Sequence, residues 1–194
     1  MFVLFCFVFI INYNSFTKYT SGKMIFFQNL PKYTCNNKKM TKKIVNRTKK
    51  VVIVGDGGVG KTAIAERFVD GEFSEQRNVP TLGVEVKNTH ELSIWDTGGQ
   101  QEFSGLREGY YIGADRVILV FDTSNKRSFQ SLPHWMRLIR SVCANVPVLL
   151  VANKTDLNQS CVEISEIQGL ANYYGLGWFS VSAKTGLNVQ NLFQ

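Results

Sequence analysis

The chain has 194 residues, 44% hydrophobic and 19% charged, which supplies enough apolar material for a packed core in one domain with some chain to spare. Its formal net charge of +7 invites a nucleic-acid or acidic-membrane partner. Residues 1–50 hold ten of the 22 Lys and Arg and none of the 15 Asp and Glu, so the remainder carries 12 against 15 and is mildly acidic. The basic charge belongs to a leader, and no nucleic-acid surface is expected on the domain. Cys6, Cys35, Cys143 and Cys161 form no C-x-x-C pair and no disulfide framework, which points to a reducing, intracellular compartment.

Residues 1–48 read as a leader that is expected to be disordered and not part of the native protein. Met1 to Ile11 is an apolar run too short to span a bilayer, which needs ~20 residues. It also lacks the basic start and small-residue cleavage site of a signal peptide. Asn, Lys, Tyr, Thr and Phe dominate the rest of the leader, the composition that translated A/T-rich DNA gives. The native start is expected at Met40, with Met24 as the second candidate, leaving a short basic arm.

From Lys49 the pattern alternates short apolar runs with helical spacing. Val51 to Val54 is a buried-strand run, and Lys61 to Asp70 a helix with Ile64 and Phe68 four apart. Glu91 to Trp95 and Arg116 to Phe121 are strands, and Ser128 to Cys143 one helix. Val146 to Val151 is a strand, Val162 to Tyr174 a helix, Trp178 to Val181 the last strand, and Leu187 to Gln194 the start of a helix that the chain does not complete. Strands apolar throughout imply burial on both faces, so the expected fold is α/β, a mostly parallel sheet between helices.

Four motifs carry chemistry. Gly55-Asp56-Gly57-Gly58-Val59-Gly60-Lys61-Thr62 matches G-x-x-x-x-G-K-[ST] between a strand and a helix. The glycines let backbone N–H groups wrap phosphates, and the helix N-terminus adds a favourable dipole. Lys61 brings charge to the β- and γ-phosphates, and the Thr62 hydroxyl suits Mg²⁺. The second motif is Trp95-Asp96-Thr97-Gly98-Gly99-Gln100: Asp96 suits Mg²⁺ through water, the Gly99 N–H the γ-phosphate, and Gln100 the attacking water. In Asn153-Lys154-Thr155-Asp156 the Asp156 carboxylate can accept the ring N–H and the exocyclic amine of guanine, a pattern adenine cannot match. Ser182-Ala183-Lys184 places the Ala183 N–H to meet the guanine carbonyl. Between the first two motifs, the Thr81 hydroxyl and carbonyl suit Mg²⁺ and the γ-phosphate. Phe73 is either a packing partner for the guanine edge or a core aromatic.

These residues resemble the Ras superfamily of small GTPases from about Lys49 onward. Within it they are most similar to the Ran group, through Gly55 to Gly58, Thr81 to Val86, Gly105 to Ile112 and Pro133-His134-Trp135. The resemblance implies a P-loop domain with a six-stranded, mostly parallel sheet flanked by helices. It implies a GDP/GTP cycle with Mg²⁺, slow intrinsic hydrolysis, an exchange factor, an activating protein, and an effector or nuclear transport receptor in the GTP form. It places the chain in the cytoplasm or nucleus; a nucleic-acid partner is not expected from the charge distribution, and a membrane partner is not expected either. Three features depart from the Ran pattern. Gly98 stands where the family has Ala and is expected to loosen the second switch. Asn78 stands where it has Tyr, and Asn158 to Glu163 lacks a basic stretch. Trp178 to Phe193 is more similar to the Rab or Ras groups, so a Rab-like vesicle protein and a nucleotide-binding module with little hydrolysis are the alternatives. Arg107 reads as a switch-surface residue rather than a catalytic finger.

Overall fold

The computed structural model describes residues 17–20, 23–26, 48–74, 80–99, 109–157 and 159–194. The chain divides into two compact units, Met1–Ile44 and Val45–Gln194.

Two strands are described in the first unit. Strands β1 (Thr17–Thr20) and β2 (Lys23–Phe26) pair antiparallel with Thr17 opposite Phe26. Thr, Tyr, Ile and Phe are good strand formers. Met24 falls in β2; Met40 lies outside the described residues.

The second unit is built on β3 (Lys49–Val54), β4 (Val84–Asn88), β5 (Leu92–Thr97), β6 (Arg116–Asp122), β7 (Val148–Asn153) and β8 (Gly177–Ser180). Their order in the sheet is β4-β5-β3-β6-β7-β8. Only the edge pair β4–β5 is antiparallel; β3–β5, β3–β6, β6–β7 and β7–β8 are parallel. The six-stranded, mostly parallel sheet expected for a P-loop domain is present. The helices are α1 (Lys61–Val69), α2 (Lys126–Gln130), α3 (Leu132–Val142) and α4 (Ile164–Tyr174), with a 3-10 turn at Gln190–Phe193.

Side chains alternate across the sheet as strand geometry requires. Val52, Val54, Val117 and Leu119 face one core with Trp135, Met136 and Ile139 of α3 and Ile167 of α4. Val51, Ile53, Ile118 and Val120 face the other with Ile64 of α1 and Leu192 and Phe193. Both faces are thus covered, which is why the strands read as unbroken apolar runs.

Most boundaries shift by one to three residues, and three differences have more to say. The single helix expected over Ser128 to Cys143 is two, broken at Ser131, because Pro133 has no N–H to continue the ladder and is placed instead in the first turn of α3. Strand β7 starts at Val148, after Pro147. The C-terminal segment forms a 3-10 turn rather than the first turn of an α-helix. Strand β4 has no apolar run to announce it: it is an edge strand, with Glu85, Val86 and Asn88 exposed.

Candidate functional site

Strand β3 connects through α1 to strands on one side of itself, while β6 lies on the other. The sheet therefore reverses direction of growth between β3 and β6, and a ligand crevice belongs at the carboxyl ends of the strands there. A cleft of about 1070 Å³ opens at that place. Its lining contains Gly57, Gly58, Gly60, Lys61 and Thr62 from the glycine loop and α1, and Phe73, Thr81 and Gly99 from the segments after α1 and β5. The far end is lined by Asn153, Lys154, Asp156, Ala183 and Lys184. Four separate sequence motifs converge on one cavity. Gly55, Asp56, Val59, Asp96 and Ser182 are not part of the lining; they stand behind it and hold it. Gln100, Asn78 and Arg107 lie outside the described residues.

The glycine loop is organised around Lys61, which is 6% exposed. Its ammonium folds back to donate to the carbonyls of Gly55 at 2.9 Å and Asp56 at 2.7 Å. Val59 is buried in the core beneath the loop. Thus the loop is fixed from below and its upper surface is left for a ligand.

At the mouth, Thr62 Oγ1 donates to Asp96 Oδ2 at 2.5 Å and is 2.9 Å from Thr81 Oγ1. Thr81 Oγ1 is 3.4 Å from the same carboxylate oxygen. Asp96 is 1% exposed, and its Oδ1 is buried with no hydrogen-bond partner. Burial raises the Asp96 pKa, opposed by the Thr62 hydroxyl and then by the Lys61 ammonium. A buried carboxylate oxygen without a partner, beside two hydroxyls, fits a small hard cation that takes oxygen ligands and keeps waters and phosphate oxygens. Among the described residues no group of three His, Cys, Asp or Glu could hold a metal, so this cation would rely on ligands from a phosphate.

Gly98 packs against the segment carrying Thr81. A Cβ there would meet the Thr81 carbonyl oxygen at 2.5 Å, and the Gly98 N–H donates to Gly83 O at 2.8 Å. The missing methyl lets that segment pack directly on the end of β5.

The far end is a network centred on Asn153, which is 1% exposed. Its Nδ2 donates to Val59 O at 2.8 Å, and its Oδ1 accepts from the Ala183 N–H at 3.2 Å. One side chain therefore ties the glycine loop to the loop after β8. The Ala183 N–H thus has a protein partner in Asn153. Ser182 Oγ donates to Asp156 Oδ1 at 2.6 Å and so fixes the carboxylate that lines the cleft. Phe73 lines the cleft and packs against the core cluster that contains Ile64 of α1.

Sequence reading missed several supporting residues. Asp122 is one: its Oδ2 pairs at 2.7 Å with the ammonium of Lys154, whose backbone is left-handed at φ 63°. Arg67 of α1 donates to Ala183 O at 2.9 Å, Gly71 O at 2.7 Å and Lys184 O, joining the loop after β8 to the end of α1. No local motif marks Arg67, because its partners in that loop lie 116 and 117 positions away.

A phosphate loop at the switch point of a parallel sheet, with a carboxylate-bearing loop at the far end of the same cleft, defines a P-loop nucleotide-binding protein. The Ras family model matches residues 50–194, and the chain belongs to that family. It is a GTP-binding switch of the small-GTPase type. Such proteins bind GTP and GDP, usually with Mg²⁺, hydrolyse GTP, and engage exchange factors, activating proteins and effectors.

Proposed function

We propose that the chain is a Ran-like switch acting between nucleus and cytoplasm, with GTP hydrolysis that is slow until an activating protein engages it. The observation that supports the Ran-like reading is the meeting of Asp56 with Trp135: Asp56 Oδ1 accepts the indole N–H at 2.7 Å. These residues belong to two of the segments on which the Ran resemblance rests. A purified nuclear transport receptor is expected to bind the GTP-loaded chain and not the GDP-loaded one. Equal binding to both forms, or to neither, would remove the transport role.

Within the cleft the roles follow from position. Lys61 and the loop N–H groups hold the phosphates, and Thr62, Thr81 and Asp96 hold Mg²⁺, which when bound offsets phosphate charge. Asp156, fixed by Ser182, reads the guanine edge, while Asn153 holds the phosphate and base loops at a set separation. Gly99 would report the γ-phosphate, and Gln100, outside the described residues, is assigned the orienting of water from its motif alone. No arginine lines the cleft among the described residues, which supports slow intrinsic turnover. Leu82 is 82% exposed beside β4, and Val86 on β4 is 40% exposed, an apolar surface suited to an effector protein. Single-turnover hydrolysis is expected to fall roughly tenfold or more in Gln100→Leu, since an unoriented water loses its advantage. Equal rates for the two forms would favour the alternative, a nucleotide-binding module with little hydrolysis.

A further inference from the structure

The Asp56 carboxylate stands beside a loop built for anions, where a free negative charge would repel phosphates. It is turned away from the cleft and held by two donors. The Trp135 indole N–H reaches Oδ1 at 2.7 Å, and the Ser131 hydroxyl reaches Oδ2 at 2.8 Å. Ser131 sits at the junction of α2 and α3, and Trp135 is 1% exposed in the core under α3. The main chain of the same residue is engaged too. Its carbonyl accepts from the Lys61 ammonium at 2.7 Å. The segment after β5 abuts it from the other side: a Cβ on Gly99 would lie 2.4 Å from the Asp56 carbonyl carbon and 2.2 Å from the Gly57 nitrogen.

We propose that Asp56 is a positioning residue that fixes the phosphate end of the cleft to α3. Its carboxylate binds the helix, and its carbonyl sets Lys61, so α3 governs diphosphate affinity without touching the ligand. The clasp also keeps the carboxylate from swinging toward the phosphates. The base end has supports of its own: Ser182 fixes the Asp156 carboxylate, and Arg67 holds the loop after β8. Breaking the clasp therefore weakens recognition of the β-phosphate and leaves recognition of the base alone.

This inference rests on the reading of the cleft as a guanine-nucleotide site, and the test separates the two. Dissociation of fluorescently labelled GDP, and equilibrium binding of GDP and GMP, are measured on the full chain and on Asp56→Ala, Ser131→Ala and Trp135→Phe. Trp135→Phe keeps an aromatic ring in the buried slot and removes the N–H, so it decides the matter if Asp56→Ala does not fold. GDP release is expected to quicken roughly tenfold in Asp56→Ala and Trp135→Phe, and less in Ser131→Ala, the size expected when a charged hydrogen bond is lost. GMP affinity is expected to change less than about twofold, because GMP lacks the β-phosphate that Lys61 meets. Unchanged GDP release overturns the inference alone. Equal weakening of GDP and GMP also overturns it, since a merely structural role acts on the whole cleft. An unmodified chain that holds no GDP overturns the nucleotide reading itself.

Discussion

Lys61→Met is expected to lower GDP and GTP affinity by at least about a hundredfold while the chain stays folded. The ammonium is already placed by the Gly55 and Asp56 carbonyls at 2.9 and 2.7 Å, so it needs no reorganisation to meet a phosphate. A unit charge about 4 Å from a phosphate charge, at an effective dielectric near 20, contributes about 4 kcal/mol, and ~3 kcal/mol already corresponds to a hundredfold. Methionine keeps most of the apolar stem but offers no donor. Two carbonyls then lose their partner, at a cost of about 1–3 kcal/mol of stability, which a domain of this size can bear. Isothermal titration with GDP, alongside thermal unfolding of the free protein, reads both quantities. Affinity within threefold of the unmodified chain would remove Lys61 from the phosphate site.

Gly55→Ala should be the most damaging single methyl in the domain. Gly55 has φ 140°, a conformation L side chains rarely adopt, and its Cβ would sit 2.1 Å from the Val120 carbonyl oxygen. Val120 belongs to the central strand β6, whose neighbours β3 and β7 leave its backbone no room to move. Overpacking against fixed backbone, added to the strained φ, is expected to cost about 3–5 kcal/mol. That corresponds to a fall in melting temperature of roughly 10 °C for a domain of this length. Gly57→Ala is the internal control, because a Cβ there meets nothing within 4 Å. Chemical denaturation of the two variants should rank them far apart, and equal midpoints would contradict the packing account.

The fold was legible where the sequence is locally explicit. Val51 to Val54 and Arg116 to Phe121 are apolar because helices cover both faces of the sheet, and that pattern needs no tertiary knowledge. The break at Ser131 was hidden because the apolar spacing runs on across it, and only the missing proline N–H stops the ladder. Strand β4 was hidden because an edge strand with exposed side chains carries no apolar run.

The site divides in the same way. Lys61, Thr62, Asn153 and Asp156 could be assigned because each chemistry sits in a contiguous motif. Asp122, Arg67, Ser131 and Trp135 could not, because they act through partners on other elements. The contact of the Ala183 N–H with Asn153 Oδ1 joins two motifs 30 positions apart, and neither motif alone announces it.

The central claim is that this cleft holds a guanine nucleotide, and it is tested most directly by equilibrium binding of Mg²⁺-GDP and Mg²⁺-ADP to the full chain. A carboxylate fixed by Ser182 at the far end of the cleft should favour GDP over ADP by at least about a hundredfold, because adenine leaves Asp156 unmatched. Equal affinity for the two nucleotides, or no binding of GDP, would contradict it.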